Sequence, residues 1–314
     1  MRGTLSTKGS VGDKILRGLT LFAALLTIVT LVALGFQVIK GASLSFSTFG
    51  LGFITDSEWN PTAGKGEFGA WVMIYGTLVT SLSALTIALP IGVAIGLYLA
   101  ELARRSVSRV VSPMVEMLAA VPSVVVGFWG LIVLAPIVSK HIEPFLHDHF
   151  GFIPLFGEPQ TTGLSLFTAS LILSIMILPI VASISRDLFL TVPREMKDGA
   201  EALGATHWEV VRGVDLPACA AGIASAALLA LGRALGEAIA VAQVIGGGQK
   251  VATSLFLPGD TLASRLATQF PGAVSNLQIS SLFYLGVILL IIGVGANLTA
   301  VWIARRFDYE RKAA

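Results

Sequence analysis

Six long apolar blocks constrain the fold of this chain more than any other feature of its sequence. A helix needs about 20 mostly apolar residues to cross the hydrocarbon core of a bilayer. Because lipid offers the backbone no hydrogen-bonding partner, only helices and closed barrels span it. The blocks are too long for barrel strands and do not alternate, so they predict an all-α, polytopic bundle of six transmembrane helices surrounded by lipid. They lie at about residues 15–39, 73–100, 113–138, 163–186, 218–245 and 280–304.

The composition agrees with a membrane location. Apolar residues make up 54% of the 314 residues and charged residues 13%, whereas soluble domains contain about 25% charged residues. A net charge of +2 is too small to indicate a nucleic-acid partner. The first block exceeds the core of a signal peptide, about 7–15 residues, so we interpret it as a retained membrane anchor. The single cysteine, Cys219, excludes an intrachain disulfide and is predicted to be a buried, unreactive thiol.

Basic residues are distributed unevenly between the segments that flank the blocks. Fifteen lysines and arginines lie in the two terminal tails and the second and fourth loops, whereas five lie in the other three loops. Cytoplasmic segments are enriched in these residues, so the bias places both termini in the cytoplasm. The predicted division begins with a cytoplasmic tail over 1–14, disordered over 1–13, followed by the first helix and its outer loop over 15–72. The core of the permease then covers 73–305 and contains a cytoplasmic coupling loop at 187–217. A second cytoplasmic tail covers 306–314.

Two of the predicted outer loops have distinctive compositions. The loop over 40–72 is rich in aromatic residues and glycines, which fits either a small folded cap or an aromatic belt at the membrane interface. The loop over 139–162 contains histidines and acidic residues, but they complete no recognised metal-ligand spacing, so we interpret it as a solvated loop. Its polar cluster consists of His141, Glu143, His147, Asp148 and His149.

The loop over 187–217 carries the clearest local pattern. Pro193 suits the first turn of a helix, and the residues that follow it favour a helix. Gly204 ends that helix, and apolar residues from Trp208 onward recur at roughly helical spacing. Pro217 suits the start of the next membrane helix. A tryptophan is costly to leave in water, so we predict two short helices on which Trp208 is buried or meets a partner.

The same segment resembles the cytoplasmic signature of ABC importer permeases. That signature reads Glu-Ala-Ala, three residues, Gly, nine residues, Ile, one residue, Leu-Pro. Both spacings are kept here, with Asp in place of Glu, Gly in place of the first Ala and Val in place of Ile. The resemblance implies a type I importer permease fold and a segment that docks on a separate ATPase. The docking residues it implies are Asp198, Gly199, Ala200, Gly204, Trp208, Val214, Leu216 and Pro217.

The sequence contains no phosphate-binding loop with four residues between Gly and Gly-Lys-Ser/Thr. The three glycines at 246–248 lack that spacing, so we interpret them as a turn after the fifth block. No pair of nucleophile and base and no metal-ligand cluster stands out within the blocks. The chain is therefore predicted not to be an enzyme and to bind no cofactor itself. The resemblance implies that ATP and Mg²⁺ bind the partner ATPase.

Arg233 is the only lysine or arginine well inside a block. It lies about 15 residues into the fifth block, near the bilayer midplane at a rise of 1.5 Å per residue. Glu237 follows four residues later, on the same face of a continuous helix. Because an unpaired midplane charge costs at least a few kcal/mol, the two side chains are expected to pair. Either Arg233 faces the transport pathway and meets an anion, with Glu237 tuning it, or the pair is purely structural.

A second resemblance bears on the transported substrate. The segment LGRALGEAIAVAQVIGG is similar to the fifth span of PstC-type permeases of bacterial phosphate importers. The similarity covers about residues 15–305 and implies that Arg233 and Glu237 line the path of phosphate, which moves by alternating access across the cytoplasmic (inner) membrane. Early elements that also match are Trp59-Asn60-Pro61, Phe68-Gly69-Ala70 and Gly76-Thr77-Leu78.

The PstC resemblance also implies partners. They are a PstA-type second permease that forms a heterodimer, a PstB-type ATPase dimer and a PstS-type extracytoplasmic phosphate-binding protein. Two alternatives stay open. One is a permease for another oxyanion such as sulfate or molybdate; the other is an ion-gradient-driven carrier, which would not need the loop over 198–217.

Overall fold

The computed structural model describes residues 11–62 and 66–313. Within these ranges, six helices are long and apolar enough to cross a membrane, which confirms the predicted all-α bundle. Residues 1–10 of the predicted tail and residue 314 lie outside the described residues, and residues 11–13 belong to the first helix rather than to a disordered tail. The six spans are Gly12–Gly41, Trp71–Leu102, Ser123–Phe150, Leu166–Thr191, His207–Gly236 and Asn276–Thr299.

Several spans are composed of more than one helical segment, and wide π-helical turns join or extend them at Tyr98–Leu102, Gly130–Leu134, Val138–Ile142 and Val211–Asp215. The α-helices are α1 (Val11–Gly41), α2 (Ser43–Phe49), α3 (Gly52–Thr55), α4 (Trp71–Leu97), α5 (Arg105–Leu118), α6 (Ser123–Trp129), α7 (Ala135–Ile137), α8 (Glu143–Phe150), α9 (Leu166–Thr191), α10 (Arg194–Ala202), α11 (His207–Val210), α12 (Leu216–Gly236), α13 (Ile239–Val244), α14 (Leu262–Gln269) and α15 (Asn276–Ala313). The short strands β1 (Trp59–Asn60) and β2 (Glu67–Phe68) form an antiparallel hairpin.

Helices α4, α9 and α12 form the centre of the bundle. Helix α4 packs along α9, and α12 packs against both of them and against α15. Two glycines of α4 permit this close approach: an added Cβ would lie 2.8 Å from Val181 at Gly92, and 2.8 Å from Ser185 at Gly96. Small residues at such interfaces let membrane helices maximise their van der Waals contact.

The third span differs from its prediction over 113–138. Residues 105–118 form the separate helix α5, and the span begins at Ser123 and continues to Phe150. Pro122 lacks an amide hydrogen and disfavours the helical conformation at the residue before it, so the helix stops there and starts again. As a consequence, residues 139–150 of the predicted solvated loop are helical. Within the described residues, no group of three His, Cys, Asp or Glu side chains is placed to hold a metal ion.

The segment over 40–72 folds into a small cap, of which residues 63–65 lie outside the described part of the chain. Phe53, Trp59 and Phe68 are buried. The ring of Phe53 stacks on Tyr284 of α15 at 4.3 Å, and the ring of Trp59 meets Phe68 edge-on at 5.0 Å. These aromatic side chains therefore form the core of a cap and are not an interfacial belt.

A buried ion pair lies against the cap. The Nε atom of Arg265 lies 2.7 Å from Oδ2 of Asp260, and its guanidinium lies 5.6 Å from the centre of the Trp59 ring. Burial raises the pKa of Asp260, while the Arg265 charge and hydrogen bonds from Ser264 and the Thr261 amide lower it in part. The backbone of Asp260 also packs closely against the start of α4, because its oxygen would clash with any Cβ at Gly76.

Candidate functional site

The segment that matches the permease signature forms two helices that meet at Gly204. Helix α10 ends at Ala202, and Gly204 has φ of 92°, a left-handed conformation that favours glycine. Thr206 then caps α11: its hydroxyl accepts a hydrogen bond from the Glu209 amide, and the Glu209 carboxylate accepts one from the Thr206 amide. The predicted helix–Gly204–helix arrangement is confirmed.

The second helix does not end before the membrane, as a short helix would. It passes through the π-helical turn Val211–Asp215 directly into α12, so that residues 207–236 form one rod. Pro217 lies in the first turn of α12, where its missing amide hydrogen costs the helix few hydrogen bonds. A force on α11 is therefore transmitted to a membrane helix without an intervening loop.

Large apolar side chains project into solvent at the tip of this segment. Leu203 is 92% exposed and Trp208 is 65% exposed, with Met196 also exposed. The chain thus does not bury Trp208. Of the two predicted outcomes, burial within the chain or contact with a partner, only contact with a partner stays open. Exposed apolar groups of this size mark interaction surfaces.

The predicted docking residues fall into two groups. Val214 and Leu216 are half-buried against Phe189, Val192 and Cys219, so they anchor the segment to α9 rather than face outward. Cys219 is buried, as predicted. Ala200 is half-buried, and the remaining residues are exposed: Asp198, Gly199, Gly204, Trp208 and Pro217.

Lys197, which the sequence analysis counted only among the basic residues of the fourth loop, ties α10 to two membrane spans. Its Nζ atom lies 2.5 Å from Oε1 of Glu101 and 3.1 Å from Oδ1 of Asp215. Burial lowers the pKa of Lys197, but the two carboxylates outweigh that effect and raise the pKa above its ordinary value. Lys197 is therefore a cation throughout the physiological range of pH.

The second candidate site surrounds Arg233 in the last turn of α12. Its side chain is exposed in the single chain and lines a cavity of about 310 Å³. The cavity lies between α9, α12 and the break that separates α5 from α6. Apart from Arg233, its walls are apolar: Leu118, Ala119, Val121, Val125, Val126, Trp129, Ile175 and Met176.

The expected pairing of Arg233 with Glu237 is wrong. Helix α12 ends at Gly236, and Glu237 adopts an extended conformation with ψ of 117°. Its Oε1 atom instead accepts a hydrogen bond of 3.4 Å from the Ala240 amide at the start of α13. Side chains at i and i+4 meet only on an unbroken helix, and Gly236 is a poor helix former just before Glu237. In the described part of the chain, no ion pair joins these two side chains.

The glycines at 246–248 form the predicted turn, but it follows the short helix α13 because the fifth span already ends at Gly236 and not at the predicted residue 245. Gly246 and Gly247 have φ of 86° and 65°, and Gly246 bridges to Gly259. Left-handed backbone of this kind is accessible to glycine at little cost.

Comparisons with known proteins give a consistent result. The family described as "Binding-protein-dependent transport system inner membrane component" matches residues 92–309. The chain is 43% identical over 300 residues to the phosphate transport system permease protein PstC of Mesorhizobium japonicum, which covers 94% of this chain and 91% of that protein. It is 33% identical to PstC 1 of Mycobacterium tuberculosis, with 96% of each covered.

Two solved structures share the fold at low sequence identity. A bacterial ABC transporter that imports the acidic polysaccharide alginate has a TM-score of 0.60 at 17% identity, with 94% of this chain and 99% of that chain covered. The MetNI methionine ABC transporter, in inward-facing conformations, has a TM-score of 0.51 at 21% identity, with 76% and 94% covered. These likenesses show the predicted importer permease fold.

Proposed function

Because the chain belongs to the family of binding-protein-dependent transport system inner membrane components, we propose that it is the permease subunit of an ATP-driven importer of inorganic phosphate. The relatives named as phosphate permeases cover almost the whole chain. One structural observation carries the substrate proposal: the Arg233 side chain faces an otherwise apolar cavity. A guanidinium presents a planar set of donors that fits phosphate oxygens.

The proposed transport cycle assigns a task to each site. ATP binding closes a PstB-type ATPase dimer, which pulls on the exposed tip around Trp208 and opens the pathway outward. A PstS-type binding protein delivers phosphate, and hydrolysis of ATP returns the pathway to the cytoplasmic side. In this proposal ATP and Mg²⁺ bind the ATPase, and this chain does no chemistry.

The cavity beside Arg233 is open in the single chain, and we assign its missing wall to a PstA-type second permease. An exposed arginine in a membrane protein is stable where it faces a water-filled cavity inside an assembly. Glu237 directly follows the last residue of α12 and, as a charge close to the path, would help release the anion. The basic-residue bias supports a cytoplasmic position for both chain termini in this proposal.

The experiment that tests this proposal is uptake by proteoliposomes that contain both permeases and the ATPase, with the binding protein outside. We expect ATP-dependent accumulation of labelled phosphate that excess unlabelled phosphate abolishes and excess sulfate or molybdate does not. Uptake that sulfate or molybdate suppresses instead would assign the chain to another oxyanion. Uptake that persists without the ATPase would refute the ATP-driven mechanism.

A further inference from the structure

Lys197 occupies an unusual position, since it contacts acidic groups from two separate spans. Glu101 lies in the π-helical turn Tyr98–Leu102, which extends α4 at its cytoplasmic end under the proposed orientation. Asp215 lies in the π-helical turn Val211–Asp215, which leads into α12. One ammonium group thus connects α10 with the ends of two membrane helices.

The charges involved are mostly withdrawn from water. The Lys197 side chain is 14% exposed and that of Asp215 is 1% exposed. The Lys197 ammonium lies 3.1 Å from Oδ1 of Asp215 and is the counter-charge of this buried carboxylate. Separating the two would leave a buried carboxylate without a counter-charge, which is strongly unfavourable. The contact therefore resists opening when α10 is pushed or pulled.

The rest of α10 is attached weakly. No residue of this helix is fully buried. A cavity of about 330 Å³ lies beside it, lined by residues of α10, the end of α9 and α11, among them Phe189, Val192 and Val210. Incomplete packing of this kind gives little resistance to sliding, so the ionic contact is the strongest side-chain contact between α10 and the bundle.

We propose that Lys197 is the coupling link of the permease, a positioning residue that transfers the displacement of α10 to the cytoplasmic ends of α4 and α12. Through α12 the movement reaches Arg233. The two π-helical turns suit this role because wide turns are strained relative to an α-helix and concentrate at functional positions. The inference rests on the proposed function for the direction of the motion, but not on phosphate being the substrate.

The test compares three variants within the complete importer. Lys197→Met breaks the contact and leaves Asp215 buried without its counter-charge. The triple variant Glu101→Gln, Lys197→Met, Asp215→Asn removes all three charges, so that no buried charge is left uncompensated. Arg194→Met is the matched control, because Arg194 lies on the same helix and beside the same cavity. For each variant we would measure ATPase co-purification, ATP hydrolysis and phosphate transported per ATP.

We expect the triple variant to assemble with the ATPase and to hydrolyse ATP, while phosphate transported per ATP falls at least about tenfold, within the range of coupling energies between distant sites. Arg194→Met should keep the wild-type ratio. A triple variant that transports as much phosphate per ATP as the wild type would show that Lys197 only stabilises the fold. Loss of ATPase co-purification in the triple variant would assign Lys197 to docking and would also overturn the proposal.

A readout that does not depend on the substrate separates this proposal from the proposed function. Val125 lines the Arg233 cavity, so the labelling rate of a Val125→Cys thiol reports whether that cavity opens. ATP with vanadate should change this rate in the wild-type background and leave it unchanged in the triple variant. A wild-type complex that shows the ATP-dependent change in labelling rate but moves no phosphate would refute only the assignment of phosphate as the substrate. An equal change in both backgrounds would refute the coupling link.

Discussion

Arg265 forms a buried ion pair with Asp260 beside the Trp59 ring of the cap, and replacing it by methionine should destabilise the fold in a pH-dependent way. Both members of the Asp260–Arg265 pair are buried, with side chains 5% and 4% exposed. Methionine keeps much of the side-chain length and removes the charge. The variant would therefore leave the Asp260 carboxylate buried and uncompensated, with the hydrogen bonds from Thr261 and Ser264 still in place.

The size of the effect follows from two limits. Removing one partner of a buried ion pair costs about 3–5 kcal/mol. Protonation sets a ceiling, because neutralising an acid of pKa about 3.9 at pH 7 costs about 4 kcal/mol, at about 1.36 kcal/mol per pKa unit. We expect Arg265→Met to lower the free energy of unfolding by about 3–4 kcal/mol at pH 7 and by about 1.5 kcal/mol at pH 5.

The direction of the pH dependence follows from proton binding. The Arg265 charge holds down the pKa of Asp260 against burial, so its loss raises that pKa further. A carboxyl group whose pKa is higher in the folded than in the unfolded state binds more protons when folded. Its fold is then stabilised as the pH falls through the folded pKa toward the unfolded one. The deficit of the variant relative to the wild type should therefore shrink at low pH.

The assay is equilibrium unfolding in detergent, followed by tryptophan fluorescence, at pH 7 and pH 5. The control is the double variant Asp260→Asn, Arg265→Met, in which a neutral amide replaces the carboxylate. It should recover most of the stability and show no difference in its deficit between the two pH values, since replacing both charges of a buried pair is often close to neutral. A deficit below about 1 kcal/mol at pH 7, or one that is independent of pH, would refute the reasoning.

Three further predictions concern transport and orientation. Arg233→Gln should abolish phosphate uptake while the complex still assembles, as measured by uptake and co-purification; normal uptake would exclude a pathway role. Trp208→Ala should weaken ATPase binding by about 2 kcal/mol, roughly 30-fold, as expected for a buried interface tryptophan, and an unchanged affinity in a pull-down titration would remove Trp208 from the docking surface. A thiol at Leu203→Cys should react with a membrane-impermeant reagent only after the cytoplasmic side is opened, whereas one at Phe152→Cys should react from outside; the reverse pattern would invert the proposed topology.

The number of spans and the helical class were predictable from the sequence because length and hydropathy alone decide them. The first and last residues of the spans were not predictable, since the mean hydropathy of a window does not indicate where a helix breaks within it. At the third span, apolar residues continue across the break, and only Pro122 marks it. Helix α5 carries exposed Val110, Met114 and Met117 among polar residues. Its apolar C-terminal part was therefore predicted as the start of the following span.

The proposed substrate site at Arg233 shows a different limit of prediction from sequence. Arg233 was identified because a charge within an apolar block is conspicuous. Its relation to Glu237 depended on a helix continuing through Gly236, and spacing cannot indicate that the helix ends there. The end of the helix at Gly236 changes the expected role of Arg233. A pair with Glu237 would neutralise the guanidinium, whereas the observed geometry leaves it facing a cavity.

The coupling segment was found by its spacing, yet its strongest attachment was invisible in the sequence. Glu101 is 96 residues from Lys197 in the chain and Asp215 lies in the following helix, so no local pattern links the three. The fold brings them together because α4 and α9 pack side by side and α10 follows α9 directly. The segment carries exposed Trp208 and Leu203 as well as an ionic contact to two spans, which are the two connections that the proposed transmission element needs. Loss of either connection should disconnect ATP hydrolysis from transport, but only loss of the docking surface should release the ATPase.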